Sequence, residues 1–235
     1  MVQEQKIVKT PERIPLRIKF AKRGNLQYIS HLDLVRNFTR YIIRSKLPVW
    51  YTEGFHPIPK LTFATSLSVG AESECEFLDV KLLELIEPSV IKRMLSDVMP
   101  NGLEILDAYF PNTKFTDIAT SSYKIKINTE NASSELCDSI RKYVSEGPIL
   151  IVKKTKSGER EIDIKERIFA FDVSFEEGDI SISCTLSADN ANFLNPELLI
   201  SALKARLGIL SGDMSKEHYS ILRTNLLTGE GRSFR

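Results

Sequence analysis

IPLRIKFAKRGNLQYISHLDLVRNFTRYIIRSKLPVWY, residues Ile14 to Tyr51, sets the architecture to be expected of this chain. Its opening alternates: Ile14, Leu16, Ile18 and Phe20 are apolar, with Pro15, Arg17, Lys19 and Ala21 between them. Period-two alternation predicts a half-buried strand, here with one basic face. Gly24-Asn25 ends it. Ser30 followed by Asp33 then opens a helix, because the hydroxyl can accept an early backbone N–H and the carboxylate favours the positive helix end. At about 100° per residue, Leu32, Val35, Phe38, Ile42 and Ile43 fall on one side, and Asp33, Arg36, Asn37, Arg40 and Arg44 on the other. Pro48 closes the helix, and Val49-Trp50-Tyr51 predicts a short strand.

Downstream, Leu61-Thr62-Phe63-Ala64 opens another strand, and the acidic run from Glu72 to Glu76 leads into one in which Leu78, Val80 and Leu82 alternate with Asp79 and Lys81. Pro88 suits the first turn of a helix over 88–98, which Pro100-Asn101-Gly102 stops, and Leu103 to Phe110 predicts a strand. Strand, helix, strand, strand, helix, strand is the order of a ferredoxin-like α+β unit. After a linker over 111–122 the order runs again. A strand to Asn128 and a helix over 132–145 are followed by hairpins over 148–164, turning at Ser157-Gly158, and 169–186, turning at Gly178. A helix starting at Asn195-Pro196 and a strand from Glu217 to Leu226 complete the series. The expectation is an α+β fold of two tandem ferredoxin-like halves, 13–110 and 122–227, with a frayed tail from Gly229.

Composition narrows the class. The chain has 235 residues, of which 42% are hydrophobic and 27% charged, a balance that lets a soluble protein bury a core. No apolar run reaches the length of a membrane-spanning helix. The start, MVQEQKIVKTPER, lacks the apolar centre of a secretory signal, so a cytoplasmic location is expected. Cys75, Cys137 and Cys184 are far apart and show no CxxC spacing, which argues against a zinc site, an iron–sulfur cluster or a disulfide framework. They are expected to be small buried residues. Neither GxGxxG nor GxxxxGK[ST] occurs, so the two commonest phosphate loops are absent. The net charge of +1 conceals an asymmetry: +8 over residues 1–60, −6 over 61–121 and −1 beyond. One basic face can therefore exist on a nearly neutral protein.

The candidate site is the stretch from Tyr28 to Lys60. Arg36, Arg40 and Arg44 repel one another at i, i+4 and i+8, and their forks suit phosphate or carboxylate. The blander reading of the same stripe is a solvated face. Trp50, Tyr51 and Phe55 offer rings on which bases stack, and Lys22, Arg23, His56 and Lys60 add cations or donors. Gly54, Pro57 and Pro59 restrain the loop, so ordering it on a ligand costs little entropy; alternatively, Phe55 is a core plug in a rigid connection. A second basic spot, Lys153, Lys154, Lys156 and Arg160, is expected to flank a groove between the halves.

Two other function classes stay open. His31 with Asp33, and His56 with Glu53, have the makings of acid–base pairs or of a metal site, although no HxxxH spacing supports a metal. His31 falls near the apolar side of the helix, where a hydrogen-bonded structural role is the alternative, and His218 reads as structural or exposed. The acidic segment from Glu72 to Glu87 could dock a basic protein, or guard a sheet edge.

From Arg17 to Leu82 the chain closely resembles the radical-SAM-linked protein family. The likeness is carried by SHLDL (Ser30 to Leu34), the helix arginines, LPVWYTEGFHPIPK (Leu47 to Lys60), SLSVGAES (Ser66 to Ser73) and ExxDV (Glu76 to Val80); KSGEREIDIKERI, Lys156 to Ile168, matches more loosely. Members of that family are found beside, or fused behind, a cobalamin-binding radical-SAM protein. The resemblance implies such a partner, itself holding an iron–sulfur cluster, S-adenosylmethionine and cobalamin, and a role in RNA modification. This chain lacks the three closely spaced cysteines of a radical-SAM cluster, so no cofactor of its own is expected. The leading expectation is an accessory protein that holds a structured RNA for that partner, with catalysis in this chain left open.

Overall fold

The computed structural model describes residues 13–155, 158–189, 191–213 and 215–235. Their strands are β1 (Ile14–Lys22), β2 (Thr62–Phe63), β3 (Ala71–Leu82), β4 (Leu103–Tyr109), β5 (Ile118–Asn128), β6 (Leu150–Thr155), β7 (Gly158–Asp163), β8 (Ile168–Glu176), β9 (Asp179–Ser187) and β10 (His218–Thr228). The helices are α1 (His31–Ser45), α2 (Pro88–Ser96), α3 (Ser134–Ser145) and α4 (Pro196–Leu207). The result is a mixed α/β fold around one large sheet, ordered β4-β1-β3-β10-β5-β9-β8, with β2 paired to β3. All its pairings are antiparallel except β10 with β3, which run parallel over Ile221↔Ala71, Leu222↔Glu72 and Arg223↔Ser73. The strands β6 and β7 form a separate hairpin between α3 and β8.

Period-two alternation places the helices on one face of this sheet. Leu16, Ile18 and Phe20 of β1 meet Leu78, Val80 and Leu82 of β3, and above them pack Leu34, Phe38 and Ile42 of α1 with Ile91 and Leu95 of α2. In the second half, Ile125, Ile127, Ile180, Ile182 and Ile221 meet Ile140 and Val144 of α3 with Leu199 and Leu203 of α4. The register carries this face across the seam, since Lys22 pairs with Ser73 and Ala71 with Ile221.

Three expectations fail here. Val49 and Tyr51 form only isolated bridges, to Leu82 and Pro59, and the β3 positions next along that edge, Asp79 and Leu78, are taken by β2. The chain after Gly229 is not frayed: Ser233 bridges to Leu227 and Phe234 is buried against Phe77 and Phe115 on the sheet face opposite the helices. That segment also covers β1, so its basic face is not free. Arg17 is buried, bound to Asp79 through Nε at 2.7 Å and Nη2 at 2.8 Å, with its guanidinium 4.5 Å from the Phe115 ring and 4.7 Å from that of Phe234. Cys75, Cys137 and Cys184 are free and buried, and burial pushes the Cys75 and Cys184 thiols up to about 12.

Candidate functional site

Ser30 caps α1 with its hydroxyl, which accepts from the Asp33 N–H at 3.2 Å, and the helix ends where Lys46 turns left-handed at φ 57°. The buried stripe is Leu34, Phe38 and Ile42, four residues apart. Leu32 (66% exposed) and Ile43 (50% exposed) fall outside it, against expectation, because the packed stripe is narrower than the apolar side of the wheel. Arg36, Arg40 and Arg44 lie two residues beyond each stripe position, about 200° round, and so face directly away from the core. Successive arginines are about 6 Å apart along the axis. Arg36 pairs with Asp33 at 3.1 Å, and the Ser30 hydroxyl and Arg36 hold the Asp33 carboxyl below its usual range. Arg40 and Arg44 are exposed and have no ion pair among the described residues.

Beyond Pro48 the chain closes on itself. The Thr52 N–H donates to Ile58 O at 2.8 Å, the Lys60 N–H to Trp50 O at 3.1 Å and the Ile58 N–H to Thr52 Oγ1 at 3.2 Å. Glu53 to Pro57 form the exposed tip, where Gly54 holds φ 132°, a backbone region that side chains rarely adopt. Phe55 is fully exposed, so it plugs no core. Tyr51 packs against the first-half core and Pro59 is buried, which anchors the loop base.

The expected acid–base pairs do not assemble. Asp33 is held by Ser30 and Arg36, while His31 sets its ring edge-on to Phe63 at 5.4 Å and stays exposed. Glu53 pairs with Arg13 at 3.6 Å, and His56 is exposed at the tip. No group of three or more His, Cys, Asp or Glu among the described residues is arranged to hold a metal ion. The acidic strand start is occupied as well: Glu72 accepts from the Gly24 N–H at 2.6 Å, Glu74 pairs with Arg23 at 2.8 Å, and Glu76 pairs with Arg223 at 2.9 Å. These carboxylates bind their own chain. Of the second basic spot, Arg160 is exposed on β7; Lys156 and the side chains of Lys153 and Lys154 lie outside the described residues.

Lys22 departs most from expectation. It is buried, with Nζ donating to Gln27 O at 3.3 Å, and burial pushes its ammonium below the usual lysine range. It belongs to a buried ionic cluster on the helix side of the β3–β10 seam. There Arg223 donates to Glu76 at 2.9 Å, Thr65 Oγ1 at 2.9 Å, Ser66 O at 2.8 Å and, through Nε, the Tyr123 hydroxyl at 3.3 Å. The signal was in the alternation: Lys22 keeps the phase of Leu16, Ile18 and Phe20, and Arg223 that of Ile221. A charged residue at an apolar phase marks a buried pair.

A family model described as an uncharacterised protein conserved in bacteria, DUF2344, matches residues 15–196, most of the chain. The chain belongs to that family. No curated protein matches it. Among solved structures, a chain of a Cbf5–Nop10–Gar1 complex is 14% identical with a TM-score of 0.50, covering 90% of this chain and 48% of that one. A chain of the archaeal box H/ACA sRNP Nop10–Cbf5 complex is also 14% identical, with a TM-score of 0.46, covering 93% of this chain and 48% of that one. This chain thus spans about half the length of both, and the first likeness is one of fold alone. No helix of the described residues is long and apolar enough to cross a membrane.

Proposed function

We propose that this chain is an accessory, substrate-presenting protein that binds a structured RNA and works beside a radical-SAM protein in RNA modification or processing. The observation that carries the RNA reading is the stripe on α1: Arg40 and Arg44, one turn apart, exposed and without a carboxylate partner among the described residues, with Arg36 only partly neutralised by the exposed Asp33. Mutually repelling guanidinium groups on a rigid helix are stabilised when an anion joins them, and phosphates spaced along a backbone meet that need. Phe55 and His56 at the restrained loop tip supply an exposed ring and a donor for unpaired bases.

Assembly with a partner rests on the resemblance of Arg17 to Leu82 to the radical-SAM-linked family; the cluster, S-adenosylmethionine and cobalamin belong to that partner. The Cbf5–Nop10–Gar1 neighbour is itself part of a complex. We read the two halves, 13–110 and 122–227, as ferredoxin-like units, because β4-β1-β3-β2 and β10-β5-β9-β8 repeat one strand order. Acid–base catalysis by His31 or His56 has less support, since neither meets its expected carboxylate.

Fluorescence anisotropy with a structured RNA across a KCl series tests the reading. Arg36/Arg40/Arg44→Ala is expected to weaken binding by about tenfold or more and to lower the salt-dependence slope by about 2. Unchanged affinity in the triple variant would remove it.

A further inference from the structure

On the sheet face opposite α1, three cations converge on one indole. The Arg13 guanidinium lies 3.8 Å from the Trp50 ring centroid, Lys60 Nζ 4.8 Å and Lys81 Nζ 5.7 Å. Alternation fixes the face: Val80 and Leu82 enter the core beneath the helices, so Lys81 and Asp79 project the other way. Beside the indole opens a cavity of about 210 Å³ lined by Pro15, Lys60, Thr62, Asp79, Val80 and Lys81.

The charges in this place are unbalanced. Asp79 is taken up by the bidentate contact from Arg17, and Glu53, 3.6 Å from Arg13, is largely in solvent. Lys60 and Lys81 have no ion pair among the described residues, although both border the cavity and both face the same ring. The π face attracts cations but cannot cancel their mutual repulsion, which an anion between them would do. The Thr62 hydroxyl adds a donor at the wall.

We infer that Lys60, Lys81 and Arg13, gathered round Trp50, form a pocket that takes the oxygens of a phosphate group, either a free phosphate ester or a phosphodiester of RNA. The pocket is independent of the α1 arginines, from which the sheet separates it.

Trp50 is the only tryptophan in the chain, so its emission reports on this pocket alone. Titration of the full chain with pyrophosphate, against KCl at matched ionic strength, is expected to change that emission saturably. In Lys60→Gln/Lys81→Gln the apparent affinity is expected to fall by about tenfold or more, with far-ultraviolet circular dichroism unchanged. Lys60→Arg, which keeps the charge, and Lys142→Gln, exposed on α3, should retain the response. An oligoribonucleotide with unphosphorylated ends separates the two sources: a saturable response to it assigns the pocket to RNA phosphodiesters, and a response to pyrophosphate alone to a free phosphate ester. No saturable change with either probe, or one that the double variant keeps, overturns the inference.

Discussion

Arg223 of β10 and Glu76 of β3 form an ion pair at 2.9 Å across the seam where those strands meet. Both side chains are almost fully buried, and each guanidinium nitrogen has an acceptor. Removing one partner of such a pair strands the other charge, so Glu76→Ala is expected to cost about 3–5 kcal/mol in urea unfolding. A loss below about 1 kcal/mol would mean that water reaches the cluster. Burial lowers the Lys22 pKa and outweighs nearby Glu76, which favours its charge, while Arg223 adds to the lowering. The folded state therefore binds Lys22's proton less tightly than the unfolded chain does. Its penalty is fully present below the folded pKa and is relieved as pH rises towards the ordinary value of 10.5. Lys22→Met is expected to stabilise the protein by about 1 kcal/mol at neutral pH, the gain shrinking as pH approaches 10. A gain independent of pH would show that packing, not charge, is responsible.

At the scale of elements, α1 is specified at both ends by local chemistry. Ser30→Ala removes the acceptor for the Asp33 N–H and is expected to cost about 1 kcal/mol. Lys46→Gly relieves a left-handed backbone and is expected to raise stability by about 0.5–1 kcal/mol. Opposite shifts in the urea midpoint would check both at once; equal signs would mean that the caps are not what limits the helix. The cap and the arginine stripe were legible in SHLDLVRNFTRYIIR, because both depend on residues within a few positions. The buried stripe was half legible. Several apolar residues fit the wheel, and only the position of β1 and β3 beneath the helix chose Leu34 over Leu32 and left Ile43 outside.

Across the whole molecule, long-range pairing decides what local pattern leaves open. Three parallel residue pairs between β3 and β10 join the halves into one sheet, and Phe234 returns to cover Phe77, 157 positions away. Phe234→Ala is expected to cost about 3–5 kcal/mol in urea unfolding, although the sequence around it reads as a polar tail. An unchanged midpoint would show that the segment rests on the sheet without stabilising it. Most of the strands, the four described helices, the α1 cap and the arginine stripe can be read from sequence, since these follow from period, capping and repulsion among neighbours. Long-range packing sets the burial of Arg17 and Lys22, limits the Val49–Tyr51 segment to one bridge with the sheet, at Leu82, and brings Lys60 and Lys81 together at Trp50. Each of those outcomes depends on which distant strand lies alongside, and a buried charge becomes affordable only once its partner from that strand is in place.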